Sequence, residues 1–415
     1  MAKKKMHYIR LLRGPKLDTS NLKRPHISIL LTITTDLGDS FLYPDEPVDL
    51  AISVENPTTG QSILLPPPDQ IIDRPPRWTA GLRCLDIKVP IKPHLKKSDV
   101  TCTIRIHPAT QTPPLGVLKG RDALPWSLAR GSPAASKGLV MPVSVDMAKG
   151  ICVPVAVRTL RLSSSKVQPQ DQDTLDVDLE EDVGESIARH IWDAGVVTAS
   201  YLGDACSSKE GICEILPMRK DHFNVLELGS GVGILGITLA QVIERAVAHG
   251  HTSCKTTVLL TDLPEAEERA RSNIARAEVT LSRINPDGPT VTLQYEDLDW
   301  DEGRHGRFGA LASARPWDLV ILSDCTYNVD SLPALVGTLS ALHAANVKHH
   351  EAEADTRTSV ILATKPRHSS EQALFGLLSS ADWRYNVLKS IPLPKLGEED
   401  EIVDIYLLER GERNT

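Results

Sequence analysis

Aromatic residues are scarce, at 4% of the chain with only four Phe, and nothing in the sequence forms a cysteine framework. Seven Cys are present in an odd number at wide spacing, with no CxxC. This argues against a disulfide scaffold or a structural zinc site and fits a reducing compartment. No apolar run approaches the roughly 18 residues of a membrane-spanning helix. The basic start, residues 1–16, lacks the apolar stretch of a secretory leader. No internal repeat occurs, and thirteen His show no metal-ligand spacing, so no metal site is expected. What remains is an ordinary globular balance, 41% hydrophobic and 24% charged over 415 residues. That length predicts two or three domains.

Charge divides the chain. Residues 1–150 carry 21 Lys/Arg against 13 Asp/Glu, a net +8, and residues 151–415 carry 25 against 41, a net −16. Such asymmetry suggests two modules. No Lys/Arg cluster exceeds three in a row, which favours a solvated basic face over a nucleic-acid surface. The basic half hints at an acidic partner.

In the first 162 residues prolines separate short alternating or apolar runs at 26–34, 48–54, 85–89, 100–106, 140–145 and 153–162. They predict a β-rich module, in the manner of a sandwich, with no catalytic constellation of its own. Residues 163–185 are acidic and read as a linker, ending in a short strand near 175–179. From residue 186 strands and helices alternate, with strands expected at 224–228, 257–261, 291–294, 318–323, 359–363, 384–391 and 402–408. This pattern predicts a Rossmann-like α/β domain over 186–415, a seven-stranded mainly parallel sheet with helices on both faces. The polar segment 244–255 reads as a loop insertion after the first helix.

The chemistry collects at strand ends. In VLELGSGVGILG, residues 225–236, a strand meets a helix through glycines that let the backbone turn tightly and present N–H groups to an anionic ligand. Taken alone, Gly231-x-Gly233-x-x-Gly236 matches a dinucleotide fingerprint. Asp262 ends the next strand, where a carboxylate can accept from two ribose hydroxyls or cap the following helix. Asp299 and Trp300 follow the third strand, with Asp297 as a substitute; an acid beside an indole suits an adenine, and Trp300 also suits a core anchor. Asp324 and Tyr327 stand just past the fourth strand, where open α/β sheets bind ligands. Cys325 beside them reads as core packing. Lys365 and Arg367 suit either an acidic substrate patch or a solvated loop.

Together these segments resemble class I, seven-β-strand S-adenosylmethionine-dependent methyltransferases. The loop Glu227-x-Gly229-x-Gly231-x-Gly233 is similar to their first motif, and Asp324-x-x-Tyr327 is similar to the D-x-x-Y of the protein-lysine branch called methyltransferase-like 21. Trp192, in ARHIWDAG, and Arg367 also fall where that branch has them, and the resemblance covers roughly residues 175–410. It implies an S-adenosylmethionine cofactor held by Trp192, Glu227, Gly229, Gly231, Gly233, Asp262, Leu263, Asp299, Trp300 and Ser323, with Asp324 and Tyr327 catalytic. It further implies methylation of a lysine on a non-histone protein, in the cytoplasm with the nucleus as a second location, and no membrane partner. Asp324 would capture and orient the acceptor amine, and Tyr327 would bound its channel. The competing readings are a small-molecule amine or another side chain as acceptor, an NAD(P)-dependent oxidoreductase, and a non-catalytic interaction module. The substrate's identity and the oligomeric state are not specified by the sequence.

Overall fold

The computed structural model describes residues 6–64, 75–93, 97–111, 116–125, 139–163, 174–184, 188–216, 221–349, 358–393 and 401–410. Among these, no helix is long and apolar enough to cross a membrane.

The N-terminal part folds as two sheets. One joins Lys16–Asp18, His26–Thr34, Met6–Leu11 and Leu139–Met141 in that order, with Leu85–Pro90 also on His26–Thr34. The other runs Leu175–Asp182, Ile151–Leu162, Val143–Ala148, Cys102–Pro108, Val48–Glu55 and Arg77–Trp78. Period-two side chains make the core: Ile27, Ile29 and Leu31 from the first sheet share one apolar cluster with Leu50, Ile104 and Val145 from the second.

The acidic segment read as a linker ends in the expected strand, which is longer than 175–179. Leu175–Asp182 is a strand antiparallel to Ile151–Leu162, so it completes the second sheet. Leu175, Val177 and Leu179 point inward, and the intervening acids find cross-strand partners, with Asp176 2.6 Å from Arg161. Residues 164–173 of that segment lie outside the described residues.

A buried ion pair fixes this sheet against the first. Arg158 is 1% exposed, pairs with Glu181 at 2.5 Å, and donates to the carbonyls of Pro142 and Ile9 at 2.9 Å each. Burial favours the protonated form of Glu181, but Arg158 outweighs it and holds the carboxyl below its ordinary value. Removing one partner of such a pair strands the other, so Arg158→Ala should cost about 3–5 kcal/mol, read as a lowered urea midpoint.

The second half contains a seven-stranded sheet, whose strands we label β1 (His222–Leu228), β2 (Lys255–Asp262), β3 (Val291–Asp297), β4 (Leu319–Ser323), β5 (Thr358–Thr364), β6 (Arg384–Pro392) and β7 (Ile402–Arg410). Their order is β3-β2-β1-β4-β5-β7-β6. The first five are parallel, and β7 runs antiparallel to both β5 and β6. This is the α/β sheet the alternation predicts. The order reverses at β1, which places a crevice at the carboxyl ends of β1 and β4. The helices are α1 (Asp193–Ala205), α2 (Lys209–Ile215), α3 (Ile234–Ala248), α4 (Pro264–Ile284), α5 (Trp300–Gly303), α6 (Leu332–His349) and α7 (Ala373–Ser380).

The expected loop insertion at 244–255 is corrected. Helix α3 continues to Ala248, because Glu244 is fully buried and accepts from the backbone of Thr290 and Val291 and from Asn285. Its polarity caps the start of β3 instead of facing solvent. The two halves also share a core: Met6, Tyr8, Leu160 and Leu175 pack in one cluster with Ile191, Ala194 and Val197 and on to Ile234.

Candidate active site

The glycine loop connects β1 to α3. Gly229, Gly231 and Gly233 all have left-handed backbones, with φ of 63°, 53° and 84°. A Cβ on Gly229 would lie 2.6 Å from the Cys325 sulfur and 3.2 Å from the Trp300 indole, so the turn closes against β4 only with glycine there. Cys325 packs as expected, its thiol 3.1 Å from the Ser323 carbonyl.

Glu227 lies beneath this loop, 1% exposed, and accepts from the Gly236 N–H at 2.9 Å. Burial pushes its carboxyl up to about 8, so it is largely protonated at neutral pH. Its place is under the loop, as a tie for the first turn of α3. Glu227→Gln should therefore leave stability at pH 7 within about 1 kcal/mol of wild type. Glu227→Ala, which orphans a buried N–H, should lower it by about 1–3 kcal/mol, compared by thermal and urea unfolding.

Asp262 ends β2, and its two oxygens accept from the N–H groups of Gly231 and Leu263, both at 2.7 Å. About four lone-pair sites exist on a carboxylate, so about two are not engaged by these contacts. Asp297 sits opposite Asp262 in the strand register, and Leu263 is exposed beside them. Trp300 is half-buried, joined to the apolar cluster under β4 and edged against Gly229, so it is at once anchor and wall. Asp299 caps α5 by accepting from the Asp301 N–H at 2.9 Å. Ser323 ends β4 beneath the first turn of α1, within 3.4 Å of where a Cβ on Gly195 would lie.

Asp324 follows β4 in a left-handed conformation, φ 55°. One carboxylate oxygen accepts from the N–H groups of Ala194 and Gly195 at 2.8 and 3.3 Å, the start of α1, where the helix field favours an anion. The other accepts from Arg367 at 3.2 Å. Burial pushes this carboxyl up to about 7; Arg367 opposes the rise, while Asp36 and Asp193 add to it. One of its lone-pair sites is not engaged by these three contacts. Tyr327 is 55% exposed. Trp192 is the N-cap residue of α1, with the Arg367 guanidinium 5.1 Å from its ring centroid.

Lys365 and Arg367 do not form a solvated loop. Lys365 is 6% exposed and pairs with Asp193 at 2.7 Å and Asp36 at 3.0 Å; Arg367 pairs with Asp36 at 2.7 Å as well as with Asp324. Tyr8 donates to Asp193 at 2.6 Å. The N-terminal module, expected to hold no catalytic constellation, thus sends Tyr8 and Asp36 to the site. These two residues and Asp193 carry no local signal in the sequence. Among the described residues, no group of His, Cys, Asp and Glu is arranged to hold a metal ion.

A family model described as lysine methyltransferase matches residues 170–381. The chain belongs to the lysine methyltransferase family. This family's match begins beside the last strand of the N-terminal sheet and ends after α7, so it includes the glycine loop, Asp262, Asp299, Asp324 and Arg367. Among curated proteins the chain is similar to a UPF0665 family protein of Schizosaccharomyces pombe, 29% identical over 55% of each chain. It is also similar to the protein-lysine N-methyltransferase EFM6 of Saccharomyces cerevisiae, 30% identical over 40% of this chain and 63% of that one. A third relative is the EEF1A lysine methyltransferase 3 of Xenopus tropicalis, 26% identical over 44% of this chain and 59% of that one. The chain spans about half to just under two thirds of the length of these three relatives.

Proposed function

We propose that this protein transfers a methyl group from S-adenosylmethionine to the lysine amine of another, non-histone protein. The observation that carries the reading is Asp324: in a lysine methyltransferase chain, a buried carboxylate stands one strand from a left-handed glycine loop with a single acceptor site open. When bound, S-adenosylmethionine supplies a methyl group already activated on a sulfonium. The chain's own residues do the rest. The tight turn made by Gly229, Gly231 and Gly233 receives the amino-acid end, while Glu227 ties the loop from below. The free lone pairs of Asp262 receive the ribose. Leu263 and Trp300 flank the adenine, and Asp299 accepts from its amine. Ser323 and Trp192 close the crevice from the β4 and α1 sides.

A lysine amine, with an ordinary pKa near 10.4, must shed its proton before it attacks. Asp324 hydrogen-bonds the incoming amine and aims its lone pair along the displacement line. Raised to about 7 by burial, it is also a better proton acceptor than an ordinary carboxylate. Tyr327 bounds the entrance. Beyond Arg367 a cleft of about 310 Å³, lined by Thr326, Arg367, Glu371, Phe375 and Tyr406, gives the acceptor chain a place to lie. The N-terminal module helps choose that acceptor. We place the protein in the cytoplasm, with the nucleus as a second location.

Titration calorimetry with S-adenosylmethionine and, separately, NADH tests the cofactor. Binding of the first alone supports methyl transfer, and binding of NADH alone points to the oxidoreductase. Mass spectrometry of a treated cell extract then reads the acceptor. Methylation confined to small amines would replace the protein-lysine reading.

A further inference from the structure

Asp36 follows a strand of the N-terminal module, yet its side chain is 1% exposed and surrounded by groups of the α/β half. One oxygen accepts from Lys365 at 3.0 Å and from the Leu37 N–H at 2.9 Å. The other accepts from Arg367 at 2.7 Å and from the Asp193 N–H at 3.4 Å. Arg10 holds its backbone carbonyl at 2.7 Å. A single Arg367 nitrogen therefore joins Asp36 to Asp324.

We propose that Asp36 is a positioning residue of the active site: the N-terminal module supplies the carboxylate that holds Arg367 against Asp324 and Lys365 against Asp193. The inference rests on the methyltransferase reading for the meaning of Asp324, and it explains why a catalytic half should carry a β-rich module in direct contact. Three buried carboxylates, Asp36, Asp193 and Asp324, share two cations. Whichever carboxylate is bound less closely keeps a proton, and the placement of Arg367 decides how strongly Asp324 is held ionised. The groups facing Asp324 are the α1 backbone N–H groups, Asp193 from α1, Arg367 and Lys365 after β5, and Asp36. Tyr8 acts on Asp193, and Glu401 lies 3.6 Å from Lys365. Burial tends to raise Asp36, but Lys365 and Arg367 outweigh it, so Asp36 itself stays ionised.

The test titrates full-length protein carrying carbon-13-labelled aspartate by NMR, with Asp324 assigned through Asp324→Asn. In Asp36→Asn, loss of a like charge alone would lower the Asp324 midpoint, whereas release of Arg367 from Asp324 raises it, so the positioning role predicts a rise of about one pH unit. The acid limb of methyl transfer into a cell extract should move up with it. The maximal rate should drop about tenfold while S-adenosylmethionine affinity stays within about twofold. An unmoved or lowered midpoint in a folded Asp36→Asn would overturn the proposal. Should Asp36→Asn not fold, Asp36→Glu decides: its longer arm cannot leave Arg367 in place, so transfer should fall several-fold, and wild-type transfer would overturn the proposal. If the wild type labels no protein at all, the methyltransferase reading fails, and the midpoint shift alone judges Asp36.

Discussion

Asp324→Ala should lower methyl transfer by about a hundredfold or more, because a misplaced acceptor loses the near-attack geometry on which the step depends. Its affinity for S-adenosylmethionine should stay within about threefold of wild type, since the loop that would hold the donor does not draw on this side chain. The comparison needs single-turnover transfer at saturating donor and calorimetry on the same preparations. A pH signature accompanies it. The folded carboxyl titrates near 7 against an ordinary 3.8. A group whose pKa is raised on folding binds its proton more tightly in the native state. Its contribution is therefore fully present below pH 3.8 and is lost as pH rises through about 7. Asp324→Asn lacks that titration. The difference in Tm, variant minus wild type, should accordingly grow between pH 5 and pH 8. A difference that stays flat would mean that Asp324 is ionised throughout.

Gly229→Ala should cut S-adenosylmethionine affinity about tenfold or more and lower stability by about 1–3 kcal/mol. The left-handed backbone at φ 63° disfavours any Cβ, and this one would meet the Cys325 sulfur at 2.6 Å. Relief requires either the loop to lift or β4 to recede. The first distorts the loop that would hold the donor, and the second moves Asp324. Calorimetry and urea unfolding separate the two costs. Pairing the variant with Cys325→Ala removes the sulfur and should return part of the affinity, and an unchanged affinity in the double variant would place the damage in backbone strain alone.

The parallel strands were legible because strands covered on both faces read as short apolar runs, so β1, β2, β4 and β5 fall within a residue or two of the predicted ranges. The glycine loop was legible because its three left-handed residues must be glycine. Asp324 was legible from its place at a strand end. Tyr8, Asp36 and Asp193 were not. Asp36 meets Lys365 across 329 residues, and in sequence it is one acid in an ordinary turn. The same limit explains Glu244 and the acids of 176–182. A polar residue looks solvated until its partners are known, and theirs come from other elements.

If Asp324 serves lysine methylation, labelled methyl transfer reads it directly. Radiolabelled S-adenosylmethionine is incubated with a proteome extract and either wild-type protein or Asp324→Ala, and labelled bands are hydrolysed for amino-acid analysis. The account predicts a discrete labelled protein that yields methyl-lysine and vanishes with the variant. Label recovered as methyl-histidine or methyl-arginine, or a band that persists undiminished in Asp324→Ala, would contradict it.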